Sequence, residues 1–254
     1  MKISIITVTL NSASTISDCL ASVKIQKYNH IEHIIVDGSS TDQTLSLLKS
    51  NIAQIAVLIS EPDKGIYDAM NKGLKIATGE IIGFLNSDDF YANSEVIYKV
   101  AKEFESDSLL DICYADLIYV DNLDSSKTVR YVKSSKFEYG LFSRGWCPPH
   151  PTFFVRRSVY EKFGNFDVNY QIASDFDLMM RFLEIYKIKS RYISEVWVKM
   201  RMGGISNKSL KNIWLQNKEI LNSFSKNNLS VNLIRFLIHK IINRSLQFIK
   251  RPDI

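Results

Sequence analysis

The chain has 254 residues, 46% of them hydrophobic, which is enough for the core of one globular domain with an appendage. Its formal charge of +5 is too weak to indicate a nucleic-acid-binding protein, and we expect no nucleic-acid partner. The three cysteines are widely spaced without a C-x-x-C pair, which is typical of reduced thiols in a cytoplasmic protein. No apolar run reaches the roughly 18 residues that a transmembrane helix requires.

The first part of the chain, up to about residue 90, alternates strand-like and helix-like patterns. The N-terminal run KISIITVTLN is rich in β-branched residues and interrupted by polar ones, so it predicts a first strand rather than a signal sequence. Further strands are predicted at 33–37, 55–60 and 80–85, and helices at 14–26, 41–50 and 66–77. Ser14 is a candidate N-cap and Gly79 a candidate C-cap. Strands separated by such helices predict βαβ units and a parallel sheet.

Polar residues follow each of these four strands at its carboxyl end. They are Thr9 and Asn11, Asp37 and Ser39, Glu61 and Asp63, and Asn86 to Asp89. Parallel sheets bind ligands beyond the carboxyl ends of their strands, so the pattern predicts a pocket at this edge. Asp88 and Asp89 repel each other directly after a buried strand, and a metal ion or solvent must compensate their charge.

The second half of the chain has a different organisation. Strands are predicted at 111–120, 128–132 and 191–200, with a short one after the proline-flanked CPPH segment. Helical spacing predicts helices at 174–186, 210–224 and 229–249.

The N-terminal half resembles family 2 glycosyltransferases of the GT-A fold. The resemblance rests on ISIITVTLN, EHIIVDGSSTD, SEPDKGIYDAMNKGLKIATGE and FLNSDD, and it extends more loosely through HPTFFVRR, ASDFDLMMR and GGIS. It implies an α/β protein of the GT-A fold, Rossmann-like in its nucleotide-sugar-binding half, with a mostly parallel central sheet and C-terminal helices. The implied glycosyltransferase domain covers 1–206, with a nucleotide-sugar-binding half at 1–90 and an acceptor half at 91–206, and 207–254 form a basic helical extension.

The resemblance also implies a function. The stretch DKGIYDAMNKG is similar to a branch of the family found in bacterial surface-polysaccharide synthesis. We therefore expect an inverting enzyme that moves a hexose or N-acetylhexosamine from a nucleotide sugar, with UDP as the expected nucleotide, to a lipid-linked saccharide. Two alternatives stay open. One is a sugar-nucleotide nucleotidyltransferase, which normally has a glycine-rich basic loop that TVTLNSAST lacks, and the other is a non-catalytic sugar-binding scaffold of the same fold.

In this family a D-x-D motif holds a divalent cation that neutralises the donor diphosphate. Here Asn86 takes the first position, Ser87 the second and Asp88 the third. By resemblance Asp88 would bind Mg²⁺ or Mn²⁺, while Asn86 would meet ribose or sugar hydroxyls and Ser87 would line the same donor site. The missing first carboxylate departs from the family pattern and weakens the expected metal site, and a solvated turn is the alternative.

The resemblance assigns further donor-binding residues to the strand ends. Asp37 would meet the uracil or ribose, Thr9 and Asn11 would line the base pocket, and Asp63 and Lys64 would contact the nucleotide. Each position also has a purely structural interpretation: an Asx-turn or helix N-cap at Asp37, a strand-end turn at Thr9 and Asn11, and a solvated capping loop at Asp63.

An inverting transferase needs a general base that takes the proton of the attacking acceptor hydroxyl. By resemblance this base is Asp175, which opens a helix within IASDFD. Asp177 is the rival carboxylate in the motif, and an acidic residue at a helix N-terminus is also favourable without any catalytic role.

Two more candidates lie outside these motifs. His150, between prolines, would touch the diphosphate or the acceptor, or be a structural histidine. Arg201 begins a basic loop with Gly203, Gly204 and Ser206 that resembles one closing over the donor pyrophosphate, and a plain glycine turn is the alternative.

Near the C-terminus, polar and basic residues recur every four positions on a predicted helix. They are Arg235, His239, Asn243, Gln247 and Arg251, with Lys240, Arg244 and Lys250 beside them. Most other positions are apolar, so the pattern predicts a basic amphipathic helix. Such a helix suits contact with an anionic membrane, here the cytoplasmic face of the inner membrane, or packing on the domain's own core or a dimer partner.

Overall fold

The computed structural model describes residues 1–203 and 209–249. Its strands are β1 (Ile3–Thr9), β2 (Ile31–Asp37), β3 (Val57–Ser60), β4 (Ile81–Phe84), β5 (Phe90–Tyr91), β6 (Ile112–Val120), β7 (Thr128–Val132), β8 (Phe154–Arg156) and β9 (Ser190–Arg201). Its helices are α1 (Ile16–Lys24), α2 (Thr44–Ser50), α3 (Ile66–Ile76), α4 (Val96–Ser106), α5 (Arg157–Phe163), α6 (Ser174–Met180), α7 (Leu210–Lys226) and α8 (Leu233–Ile249). Each predicted strand and helix is present, with ends that differ by a few residues.

The strands form one sheet in the order β3-β2-β1-β4-β8-β6-β9-β5, with β7 paired to β6 outside this path. The first four strands of that order are parallel, and Ile6 of β1 pairs with Ile34 of β2 and Phe84 of β4. Beyond β4 the sheet is mixed, because β8 runs antiparallel to both neighbours while β6 and β9 run parallel to each other. The parallel part is the predicted nucleotide-binding half, so its four carboxyl ends lie along one edge.

Strand β1 is buried along its whole length, as expected in the middle of a parallel sheet. Ile5 belongs to an apolar cluster with residues of α1 and α4, and Ile6 belongs to a second cluster with residues of α3, α5, α6 and α7. Helices therefore cover both faces of the sheet, and polar groups collect at the strand ends.

Three elements have no counterpart among the predicted ones: β5, α4 and α5. The pattern for α4 is nevertheless present in the sequence, since Val96, Val100 and Phe104 recur at helical spacing and are buried. The predicted helix at 174–186 is divided into α6 and a π-helical turn at Arg181–Ile185.

Two predicted caps are wrong. Ser14 does not cap α1, because the first helical bond joins the Ile16 amide to the Ser12 carbonyl and Thr15 takes the N-cap position. Gly79 does not end α3 in a left-handed turn, because the helix already ends at Ile76. A side chain at Gly79 would place its Cβ 2.6 Å from the backbone nitrogen of Ser4, so glycine is needed there for a close approach of two chain segments.

The last two helices pack on the domain. Phe236 of α8 is buried and meets Phe224 of α7 edge to face, with ring centroids 6.1 Å apart. None of the described helices combines the length and apolarity that crossing a bilayer requires. The predicted division between 1–206 and 207–254 stays a prediction, because residues 204–208 lie outside the described part.

Candidate active site

The carboxyl ends of β1 to β4 are joined by hydrogen bonds between their polar residues. Ser60 at the end of β3 donates to Asp37 at the end of β2, with 2.7 Å between oxygens. Ser12, just after β1, is 2.8 Å from the hydroxyl of Ser87, just after β4. The predicted convergence of the strand ends on one edge is therefore confirmed.

Asp37 is fully buried and its carboxylate is already well supplied with donors. Besides Ser60, the hydroxyl of Ser40 donates to it at 2.5 Å, and the Ser40 amide closes the Asx-turn that the sequence suggested. Gly38 beside it leaves room for Asp63, since an added Cβ would lie 2.3 Å from Oδ2 of Asp63 and the Asp63 side chain would have to move. The structure thus brings Asp63 next to Asp37.

Thr9 and Asn11 lie at the same edge but differ in environment. Thr9 is buried, and its hydroxyl has no hydrogen-bond partner within residues 1–203 and 209–249. Asn11 is exposed, adopts the left-handed φ of 51°, and accepts from the Thr41 amide at 2.9 Å. Asn11 therefore has a structural task in the turn, whereas the buried Thr9 hydroxyl has none within the described residues.

Asp88 and Asp89, the adjacent carboxylates after β4, differ in their exposure. Asp89 is fully buried, and Asn86 donates to its Oδ2 at 2.9 Å while Oδ1 has no partner in the described residues. Asp88 is only half-buried. Burial raises the pKa of both carboxyl groups, the neighbouring Asp88 charge raises that of Asp89 further, and the guanidinium of Arg201 opposes the shift.

Arg201 reaches this edge from the other half of the chain, at the end of β9. Its Nη1 donates to the Asp88 carbonyl at 2.9 Å, its Nη2 pairs with Asp18, and the guanidinium lies 5.0 Å from the centre of the Phe90 ring. Arg201 thus lies beside the carboxylates that follow β4, and its predicted role at the donor pyrophosphate stays a prediction. The glycine loop that follows is described only to Gly203, and Gly204 and Ser206 lie outside the described residues.

Lys64 lies in the loop before α3, with an exposed side chain. Its amide donates a hydrogen bond of 3.0 Å to the carboxylate of Asp68, which lies in the first turn of α3. Lys72, one turn farther along, pairs with Glu61 at 2.9 Å and with Asp68 at 3.7 Å. The motif DKGIYDAMNKG is thus partly a local network that holds the start of α3 against the end of β3.

The two carboxylates of the SDFD segment have different surroundings. Asp175 is half-buried and accepts a hydrogen bond of 3.2 Å from the hydroxyl of Tyr67. Asp177 is buried and accepts from Arg181 at 2.8 Å, Ser223 at 2.6 Å and Asn227 at 3.1 Å. Asp177 is therefore satisfied within the protein, and Asp175 is the carboxylate of the pair with free acceptor capacity.

Asp116, a buried carboxylate of β6, is also satisfied internally. It accepts from Tyr192 at 2.8 Å, from the Ser134 amide at 2.7 Å and from Tyr131. Asp116 is completely buried. Its hydrogen bonds join β6 to β7 through Tyr131 and to β9 through Tyr192.

An aromatic cluster of Tyr67, Phe84, His150 and Phe166 joins the two halves. His150 stacks on Phe84, the last residue of β4, at 5.3 Å between ring centroids, and Phe166 packs on Tyr67 at 5.7 Å. Burial lowers the pKa of His150, partly opposed by the nearby Asp175 charge, and its Nε2 has no partner in the described residues. Asp175 is thereby brought next to the end of β4.

Tyr67 is the site residue that the motif analysis missed. It lies within DKGIYDAMNKG between Ile66 and Asp68, and its hydroxyl bonds to a residue 108 positions farther along the chain. Periodicity identifies it only as a buried residue of a helix, so only the tertiary structure could reveal its contact with Asp175.

The side chains at this edge show whether the protein could hold the expected Mg²⁺ or Mn²⁺ ion. Within residues 1–203 and 209–249 no group of three or more His, Cys, Asp or Glu side chains could hold an ion alone. Magnesium, however, is commonly bound by one or two carboxylates together with substrate phosphates. The half-buried Asp88 and the partnerless Oδ1 of buried Asp89 fit such a partial site.

Comparisons with known proteins agree with this geometry. The family model of "Glycosyl transferase family 2" matches residues 4–164. A "PGL/p-HBAD biosynthesis glycosyltransferase" of Mycobacterium bovis (strain BCG / Pasteur 1173P2) is 31% identical over 208 residues, covering 80% of this chain and 78% of the relative.

Two solved structures share the fold. The S. aureus TarS 1-349 in complex with UDP-GlcNAc has a TM-score of 0.67 and 19% identity, over 98% of this chain and 73% of that one. The mannosyltransferase PcManGT from Pyrobaculum calidifontis in complex with GDP-Man and Mn²⁺ has a TM-score of 0.65 and 17% identity, over 95% and 69%. The likeness confirms the expected GT-A fold with C-terminal helices.

Proposed function

The chain belongs to glycosyl transferase family 2 and is a glycosyltransferase, and from this premise we propose that it moves a hexose or N-acetylhexosamine from a nucleotide sugar, with inversion, to a lipid-linked saccharide. The main support is an aromatic cluster that links Asp175, through Tyr67, to the end of β4, which lies four residues before Asp88. Asp88 follows β4, whose Phe84 stacks on His150, and Asp175 is bonded to Tyr67 of the same cluster. Asp88 suits a donor diphosphate and Asp175 an acceptor hydroxyl.

The donor would lie along the strand-end edge. The partnerless Thr9 hydroxyl, Asp37 and Asn11 would receive the nucleoside, with UDP as the proposed nucleotide because a similar structure holds UDP-GlcNAc. Asp63 lies against the Asp37 turn, and the exposed Lys64 beside it offers positive charge to the diphosphate.

The same edge would hold the sugar and the pyrophosphate. Asn86 and Ser87 offer neutral hydrogen-bonding groups to hydroxyls, and Arg201 is already positioned over the Asp88 carbonyl. His150, whose Nε2 lacks a partner, would contact the diphosphate or the acceptor at the boundary between the two halves.

We propose a Mg²⁺ or Mn²⁺ cofactor held by Asp88. When bound, the cation would neutralise the negative charge of the departing nucleoside diphosphate. Asp89 would support it from the buried side, because a cation would offset the burial and the Asp88 charge that raise the pKa of Asp89. The amide of Asn86 keeps Asp89 oriented through the 2.9 Å hydrogen bond.

Asp175 would act as the general base. The acceptor hydroxyl oxygen attacks the anomeric carbon, its proton passes to the Asp175 carboxylate, and the bond from that carbon to the diphosphate oxygen breaks to release the nucleoside diphosphate. Tyr67 holds the Asp175 carboxylate through the 3.2 Å hydrogen bond from its hydroxyl, which fixes the direction in which the remaining lone pairs point.

We place the enzyme in the cytoplasm, peripherally on the cytoplasmic face of the inner membrane, with α8 as the contacting element. A lipid-linked acceptor requires access to a membrane surface. A relative named for PGL/p-HBAD biosynthesis supports a glycoconjugate product.

The deciding experiment incubates purified protein with a panel of nucleotide sugars and measures release of free nucleoside diphosphate, with Mg²⁺, Mn²⁺ or a chelator. We expect turnover with one or a few UDP-sugars, stimulation by a lipid-linked saccharide and loss in the chelator. The matched control is Asp175→Asn, which keeps the shape of the site. Release of pyrophosphate in place of nucleoside diphosphate would contradict the proposal, as would full activity of Asp175→Asn.

A further inference from the structure

Helix α8 presents its apolar side to solvent and its polar side to the domain. The half-buried positions of the helix include His239, Lys240, Asn243 and Gln247, which is the polar stripe visible in the sequence. On the opposite side, side chains that would ordinarily be buried are largely exposed, with Ile241 at 66%. The exposed apolar side consists of Ile234, Leu237, Ile238, Ile241, Ile242 and Ile249.

Specific contacts fix this orientation. Arg130 of β7 donates to Gln247 at 2.6 Å, and Lys240 donates to Asn217 of α7 at 2.7 Å. The helix backbone also sits tightly on the turn at Gly145, where an added Cβ would lie 3.3 Å from the Lys240 backbone. Together with buried Phe236, these contacts along the helix oppose a rotation that would bury the isoleucines.

The charge on helix α8 has one sign. Leu233–Ile249 carries Arg235, Lys240 and Arg244 and no acidic residue. Two copies of α8 packed against each other would bring these cations together without an anion on either helix, which is unfavourable. An anionic lipid surface offers the complementary charge and an apolar phase next to it.

We propose that the apolar side of α8 inserts into the interface of an anionic bilayer, while the polar side stays docked on the domain. This inference deepens the peripheral location within the proposed function by naming the inserted face and the lipid chemistry. The inserted face lies on the side of α8 opposite the polar and basic stripe seen in the sequence. Because α8 rests on the turn at Gly145, shortly before His150, insertion would hold the acceptor half beside the membrane.

The test uses the full chain and vesicles of phosphatidylethanolamine and phosphatidylglycerol, with phosphatidylcholine vesicles as the neutral comparison. Flotation measures the bound fraction for wild type, for Ile238→Ser with Ile241→Ser, and for Leu109→Ser, which removes an apolar side chain that is 73% exposed elsewhere. We expect the α8 variant to bind anionic vesicles at least tenfold more weakly for each isoleucine that inserts fully. Leu109→Ser should bind as wild type does.

A second variant tests the charge. Arg235→Gln should lower binding to the anionic vesicles about fivefold and reduce its salt dependence, with little effect on neutral vesicles. Absence of binding to anionic vesicles, or equal binding by wild type and the α8 variant, would overturn the inference. A dimer in vesicle-free solution that the α8 variant dissociates would also overturn it, in favour of a second copy as the occupant.

Donor hydrolysis by the α8 variant in solution separates the two proposals. The exposed isoleucines do not belong to the strand-end site, so hydrolysis should equal that of the wild type. If no variant or wild-type protein hydrolyses any donor but flotation behaves as expected, the proposed function fails and the membrane inference stands.

Discussion

The strand-end edge buries a carboxylate, whereas helix α8 exposes apolar side chains to solvent. Each region therefore departs from the usual burial of apolar residues and exposure of charged ones. At the edge, the carboxylate of Asp89 is completely buried and one of its oxygens has no partner in the described residues. On α8, Ile234 and Ile241 are exposed to 72% and 66%. Both arrangements are unfavourable for the isolated chain, since desolvating a charge and hydrating an aliphatic side chain each cost free energy.

The difference between the two regions indicates what each one binds. A buried carboxylate with one oxygen unpartnered in the described residues favours a cation or a donor group beside it, which agrees with a metal–diphosphate ligand at the edge. An exposed row of isoleucines beside cations requires an apolar phase with negative charge at its surface. If both interpretations hold, substitutions in either region should remove function without lowering stability, unlike substitutions at ordinary buried positions.

The largest effect is expected at Asp88. Asp88→Asn should abolish transfer, because the amide cannot neutralise or bind a cation as a carboxylate does. The free protein should become more stable at pH 7, so its unfolding temperature should rise. The physical reason is that burial raises the pKa of Asp88, and a carboxyl of this kind destabilises the folded state above its unfolded pKa.

The checks for Asp88→Asn are a transfer assay and a thermal unfolding curve measured at the same pH. Near-normal turnover of Asp88→Asn with Mg²⁺ or Mn²⁺ would contradict a metal-binding role for Asp88. A large drop in unfolding temperature would show that Asp88 is needed for the fold rather than for a ligand.

At the acceptor centre, Asp175→Asn should reduce kcat by about 10²–10⁴-fold while donor affinity is retained. The reason is that the amide keeps the shape but cannot accept the proton. Separate measurement of kcat and of nucleotide-sugar affinity checks this prediction. If the acceptor KM rises while kcat is unchanged, Asp175 serves only in binding.

Tyr67→Phe tests positioning at the same centre. Removing the hydroxyl should lower kcat by about tenfold, a loss of about 1.4 kcal/mol that corresponds to one hydrogen bond to a charged group. The acceptor KM and the donor affinity should stay close to those of the wild type, because Tyr67 acts by orienting the Asp175 carboxylate. A tyrosine that only fills space would leave kcat unchanged.

Asp177, only two residues from Asp175, provides the contrast of an ordinary buried ion pair. Asp177→Asn leaves the guanidinium of Arg181 without its anion and should destabilise the protein by about 3–5 kcal/mol. Urea unfolding measures this loss, and turnover per folded molecule should remain close to that of the wild type. Loss of turnover with unchanged stability would identify Asp177 as the base in place of Asp175.

The last prediction concerns pH and Glu32 of β2, which pairs with Ser4 near the start of β1. Burial alone would raise the pKa of Glu32, but hydrogen bonds from Lys2, Ser4 and Thr78 lower it from 4.5 to about 2. The unfolded chain therefore binds more protons than the folded one between these values, and stability on the order of 2 kcal/mol should be lost as the pH falls through this window. The buried Asp88 and Asp89 should contribute the opposite slope.

Urea unfolding between pH 2 and about pH 5 checks this prediction, with Glu32→Gln as the control that should flatten the Glu32 contribution. If the pH dependence of stability is unchanged in Glu32→Gln, the Glu32 carboxyl has the same pKa in the folded and the unfolded chain, which would contradict the prediction.

The sequence alone determined the α/β class, the four parallel strands and the edge where the polar residues collect. These features follow from short-range rules, because the period of apolar residues selects strands and helices, and parallel strands place their carboxyl ends together. The motifs around Asp37 and Asp88 also predicted the family that the comparisons then showed.

Only the tertiary structure separates the surroundings of Asp175 from those of Asp177, since their difference arises from Arg181, Ser223 and Asn227, up to 50 positions away. It likewise revealed the bond of Tyr67 to Asp175 and the outward direction of the apolar side of α8. A helical pattern defines two faces but not which one meets the domain. That choice depends on contacts with partners distant in sequence, here Arg130, Gly145 and Asn217.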